Sequence, residues 1–110
     1  PRWGYPGVAN YYQACSPLPR LRKTLLHLPP LLLVHAQDDP WVPVASTRSL
    51  GQEVAAARKA GQGAQNNLPE VLITGGGGHN GFHGPGDTAM ACWSDRLASL
   101  WMTRVLPKLR

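Results

Sequence analysis

Two short polar stretches of this 110-residue chain hold side chains able to move protons. Asp38 and Asp39 precede Pro40, and His79 follows the run Gly75 to Gly78. A carboxylate and an imidazole brought together make a base and its orienter. The carboxylate accepts Nδ1–H, sets the tautomer, and stabilises the imidazolium formed when Nε2 takes a proton. The glycines before His79 let the backbone turn sharply and carry the ring toward a pocket without Cβ clashes. Residue types alone leave the carboxylate open. Asp39 reads either as the acid or as a turn residue, because Asp-Pro commonly opens turns, and Asp38 reads as the rival acid or as a hydrogen-bonded support.

Other chemistries fit these residues less well. His79 and His83 with Asp39 would suit a metal on a helix, but Gly81 and Gly84 argue against a helix there. The glycine run lacks both the Gly-Lys-Ser/Thr ending and the G-x-G-x-x-G spacing of a phosphate cradle. No metal and no cofactor is expected. His27 and His35 read as structural. Cys15 and Cys92 have no metal-ligand spacing and are too few for a disulfide framework, so they read as buried thiols in a reducing, intracellular setting.

The elements that must position these groups follow from pattern. Leu31 to His35 is a short apolar run between Pro30 and Asp38-Asp39-Pro40, which predicts a strand buried on both faces. Val44, Leu50, Val54 and Ala57 share one face of a helix from Pro43 to about Ala60, and a polar loop is expected from Gly61 to Asn67. Leu68 to Thr74 reads as a second strand. Asp87 reads as the N-cap of a last helix whose core face carries Met90, Trp93, Leu97 and Trp101, with Leu106-Pro107 at its end. Before these, a short helical piece holds Tyr11 and Tyr12, and Ser16-Pro17 and Pro19 stop it. Strand, helix, strand, helix is the order of a parallel α/β architecture. Asp39 and His79 then lie just beyond the carboxyl ends of the two strands, where open α/β sheets bind ligands. Two strands are few for such a sheet, so the pattern implies two parallel strands and flanking helices of a larger one, with more of it upstream.

Composition narrows the function. Eleven Lys and Arg against six Asp and Glu give a net charge of +5, but the basic residues form no continuous stripe interleaved with aromatics, which argues against nucleic acid. His27, Pro29, Pro30 and His35 interrupt the longest apolar region, well short of the roughly 20 residues a membrane helix needs.

The stretch LLLVHAQDDPWVP, Leu31 to Pro43, resembles the acid-bearing strand and turn of α/β-hydrolase-fold enzymes, and VLITGGGGHNGF, Val71 to Phe82, resembles their histidine loop. The GGHxGF form, with Tyr11, Tyr12 and Ser16 in a YYxxxS arrangement, is most similar to the YheT-like or embryogenesis-associated branch. The resemblance extends from about Tyr5 to Val105, so residues 1–110 read as the C-terminal part of such a domain. It implies a short- or medium-chain carboxylesterase or acylglycerol lipase, with Asp39 as the triad acid and His79 as the triad histidine. The substrate would be a small-molecule ester or acylglycerol, and membrane association of a parent protein stays open. The family's nucleophilic serine elbow, G-x-S-x-G or a close variant, is absent from these residues. The chain is therefore expected to be inactive alone. The alternative is a non-catalytic remnant of the same fold acting as a binding module.

Overall fold

The computed structural model describes residues 4–62 and 68–109, so most of the loop expected from Gly61 to Asn67 lies outside the described residues. Helices α1 (Val8–Cys15) and α2 (Leu18–Lys23) lead to strand β1 (Leu32–Ala36). Helix α3 (Ala45–Lys59), strand β2 (Glu70–Thr74) and helix α4 (Trp93–Val105) follow, and a 3₁₀ turn (Leu106–Leu109) extends the last helix. The two strands pair in parallel, in one sheet, from Leu32 opposite Glu70 to Ala36 opposite Thr74. This is a mixed α/β arrangement, with α3 as the crossover between adjacent strands.

The core lies between the sheet and α3. Thr47, Leu50, Val54 and Ala57 recur three and four residues apart and form the buried stripe of α3. Leu50, Val54 and Ala57 cluster with Leu68, and Leu33 and Val71 of the strands pack against them with Leu18, Leu25 and Leu26. At Gly51 helix and sheet lie in ordinary contact distance, since a Cβ there would sit 3.5 Å from Val71 without a clash. On the other face, Leu32, Glu70 and Leu72 line an open groove with Leu97, Leu100, Trp101 and Arg104. Trp101 Nε1–H donates to Glu70 at 3.1 Å, and Arg104 pairs with the same carboxylate.

Several expectations are corrected. The strands are not buried on both faces: in β1 only Ala36 is fully buried, and β2 is half-buried throughout. Pro17 and Pro19 end α1 as expected but then begin α2, since proline's fixed φ suits a first turn whose N–H groups lack partners anyway. The last helix starts at Trp93, not after Asp87. Its N-cap is Cys92, whose backbone N–H donates to Asp95 at 2.9 Å, a carboxylate favoured by the helix dipole. Met90 therefore precedes the helix and is 93% exposed, and no residue of α4 is fully buried. Cys15 is exposed and Cys92 half-buried, so neither is a buried thiol.

Leu50→Ala should lower stability by about 2–5 kcal/mol, because the fully buried side chain leaves a cavity that the helix–sheet contact cannot close. Met90→Ala, at an exposed position, should stay within about 0.5 kcal/mol of the parent. Urea unfolding midpoints of the two variants provide the comparison.

Candidate functional site

The site is built where the two strands end level. Gln37 N–H donates to Thr74 O at 2.8 Å, continuing the ladder one step past β1, and Asp39 N–H reaches back to Ala36 O. This turn fixes the Asp39 carboxylate. Its Oδ1 accepts the backbone N–H groups of Trp41 at 2.8 Å and Val42 at 2.9 Å. Its Oδ2 lies 2.9 Å from His79 Nδ1. The Asp39 side chain is only 7% exposed, whereas that of His79 is 35% exposed.

Burial alone would push the Asp39 carboxyl up. The N–H donors of Val42 and Trp41, together with the hydrogen bond and charge of His79, outweigh it and hold the pKa at about 2. An ionised carboxylate only accepts, so Nδ1 of His79 must carry the hydrogen of the shared bond. In the neutral ring, Nε2 then keeps its lone pair and can take a proton. That is the arrangement of an oriented general base.

The loop after β2 delivers the histidine. Gly77 has φ +141 and Gly78 φ +52, and Asn80 joins them in the left-handed region at φ 67. Gly81 N–H closes back on Gly77 O at 2.8 Å. Glycine is required at 77 on two counts, since a Cβ there would lie 2.6 Å from the Phe82 ring. Asp38 does not support its own turn. Its Oδ1 accepts Gly78 N–H at 2.9 Å, tying the β1 turn to the histidine loop. The two adjacent aspartates thus hold the same loop, one through the imidazole and one through the backbone. Trp41, 76% exposed, sets its ring 4.8 Å from that of His79 at 51°.

His83 is drawn elsewhere. Its Nδ1 lies 3.0 Å from Asp87 Oδ2, which also accepts Gly84 N–H at 2.9 Å. Asp87 is thereby not a helix cap. With Arg96, which pairs with it at 3.0 Å and donates to the carbonyls of Gly86 and Pro85, it organises the irregular segment before α4. Among the described residues no group of three or more His, Cys, Asp or Glu side chains is placed to hold a metal ion.

None of the five serines hydrogen-bonds His79 among the described residues. Ser46 and Ser49 lie on α3, Ser94 and Ser99 on α4, and Ser16 between α1 and α2. Sequence reasoning missed Thr47, which extends the Leu50, Val54 and Ala57 stripe by one turn, and missed its contact with His35. Two polar side chains inside apolar patterns are a signal that they pair, because unpaired burial is costly.

No family model matches the chain, and no solved structure matches it.

Gly77→Ala should drive the Phe82 ring or the loop aside, lowering stability by about 1–3 kcal/mol. It should also weaken the His79–Asp39 bond, which ring-nitrogen NMR of His79 reads directly. Asp39 also sets a pH dependence. Its native pKa of about 2 lies below the ordinary 3.8, so its stabilisation is complete above the unfolded value and is lost as pH falls through the native one. The stability advantage of the parent over Asp39→Asn should therefore shrink between about pH 5 and pH 2. Urea midpoints across that range measure it, and an advantage independent of pH would contradict the assignment.

Proposed function

We propose that the chain supplies the acid–base half of a serine-type carboxylic ester hydrolase of the α/β-hydrolase fold. The observation that carries this reading is the 2.9 Å contact between Asp39 Oδ2 and His79 Nδ1, made at the carboxyl ends of adjacent parallel strands. The acid-turn and histidine-loop motifs add to it, because they resemble those of that family in the same order. The nucleophilic serine and the oxyanion donors come from outside these 110 residues.

The chemistry follows from the tautomer. His79 Nε2 takes the serine Oγ proton as Oγ attacks the ester carbonyl, and the imidazolium then protonates the departing alkoxide. Water repeats the sequence on the acyl-enzyme, releasing the carboxylic acid. Asp39 stays ionised throughout. Its Oδ2 keeps the ring oriented and offsets the imidazolium charge, while Trp41 and Val42 N–H groups keep the carboxylate from turning away. The exposed Trp41 ring beside His79 offers apolar surface to a short or medium acyl chain.

The test is ester hydrolysis by the polypeptide that joins these residues to a nucleophilic serine, with p-nitrophenyl butyrate as substrate. His79→Ala should lower kcat by about 10⁴–10⁶-fold and Asp39→Asn by about 10⁴-fold, with KM little changed. A His79→Ala variant within tenfold of the parent would remove His79 from the mechanism. If no longer polypeptide carrying the chain hydrolyses esters or labels with a fluorophosphonate, the non-catalytic binding module is the better reading.

A further inference from the structure

Behind the Asp39–His79 pair lies a second imidazole that the mechanism above does not use. His35, near the end of β1, has a side chain only 10% exposed. Its Nε2 is 3.0 Å from Val42 O and 3.6 Å from Asp39 Oδ2. Its Nδ1 is 2.7 Å from Thr47 Oγ1, on the buried stripe of α3.

The partners assign the hydrogens. A carbonyl can only accept, so Nε2 carries an N–H that donates to Val42 O. In the neutral ring Nδ1 then has a lone pair, and the Thr47 hydroxyl donates into it. The imidazole is bonded at both ends. One end is anchored to the helix that forms the core, and the other holds the turn that delivers two N–H groups to Asp39 Oδ1. The same N–H edge faces the oxygen that His79 uses. At 3.6 Å this is an electrostatic approach and not a hydrogen bond, so its effect is to favour one carboxylate orientation.

The geometry points to His35 as a positioning residue for the acid–base pair, linking α3 through Thr47 to the 39–42 turn and so to the Asp39 carboxylate that orients His79. Its catalytic weight rests on the hydrolase reading, but the positioning does not. A merely space-filling His35 would have no influence on the hydrogen placement in His79. A positioning His35 would, because a carboxylate free to rotate no longer holds the hydrogen on Nδ1.

The experiment is two-bond ¹H–¹⁵N NMR of the His79 ring, with ester turnover in the longer polypeptide as a separate arm. His35→Leu removes both bonds. His35→Gln retains an N–H donor toward Val42 O, and Thr47→Val removes only the anchor. The parent should show His79 held as the Nδ1–H tautomer. His35→Leu should lose that lock and give a mixture with Nε2–H, His35→Gln should restore it, and Thr47→Val should lose it in part. In the turnover arm, His35→Leu should lower kcat on the order of 10²-fold with KM unchanged, the cost of a misplaced base. A folded His35→Leu chain whose His79 keeps the parent tautomer would overturn the proposal. Should that variant not fold, a Thr47→Val chain that keeps the full lock would do the same. A lock that responds to His35 in a polypeptide without esterase activity would leave the positioning intact and dismiss only the hydrolase reading.

Discussion

The in-register parallel pairing of Leu32–Ala36 with Glu70–Thr74 is the constraint on which the rest depends. Because Ala36 stands opposite Thr74, both strands stop at the same height, and the segments leaving them emerge side by side. Residues forty positions apart in the chain can then share hydrogen bonds: Asp39 with His79, and Asp38 with Gly78. A register slipped by one residue would turn the alternate faces over, exchanging Leu33 and Val71 for the groove-facing set and separating the two loops. The core beneath α3 enforces the register, since only one alternation buries Leu33 and Val71 against Leu50, Val54 and Ala57. Hydrophobic burial is therefore what aligns the polar site.

At that end of the sheet the electrostatics depend on fixed donors. Asp39 is nearly buried, and burial alone shifts its preference toward the neutral form by pushing its pKa up. Two backbone N–H groups and one imidazole reverse that preference. Those backbone donors exist only because the chain turns tightly between β1 and α3, and His35 closes that turn by donating to the Val42 carbonyl. The histidine loop is shaped by different means. Positive φ values at Gly77, Gly78 and Asn80 fold it onto Phe82, and Asp38 anchors its backbone. A nearly buried carboxylate held by fixed donors thus faces a more exposed imidazole.

Much of this was readable from pattern. The two strands and the helix between them follow from apolar runs and spacings that side-chain burial later uses, whereas the last helix follows from its spacing although none of its side chains is fully buried. The placement of Asp39 and His79 at neighbouring strand ends follows from the order of those elements. Boundaries and local roles were less readable, for reasons specific to each residue. Asp87 has the composition of a helix cap, but Arg96 and the Gly84 N–H compete for its carboxylate, and Cys92 caps the helix instead, with Asp95 accepting its N–H. Pro17 and Pro19 look like terminators, yet the same fixed φ that ends one helix begins another. Asp38 adjoins its own turn, but its carboxylate accepts the Gly78 N–H across the gap.

Local sequence by itself determined the α/β order, the strand-end location of the acid and the imidazole, and the glycine-dependent sharpness of the loop that carries His79. These depend on backbone freedom and hydrophobic period, which neighbouring residues set among themselves. Tertiary structure alone decided which oxygen of Asp39 faces His79, that Asp38 holds Gly78, and that His35 is fastened between Thr47 and Val42. Hydrogen-bond partners are chosen by distance and direction in space. No property of a single residue specifies them until the core has brought the strand ends together.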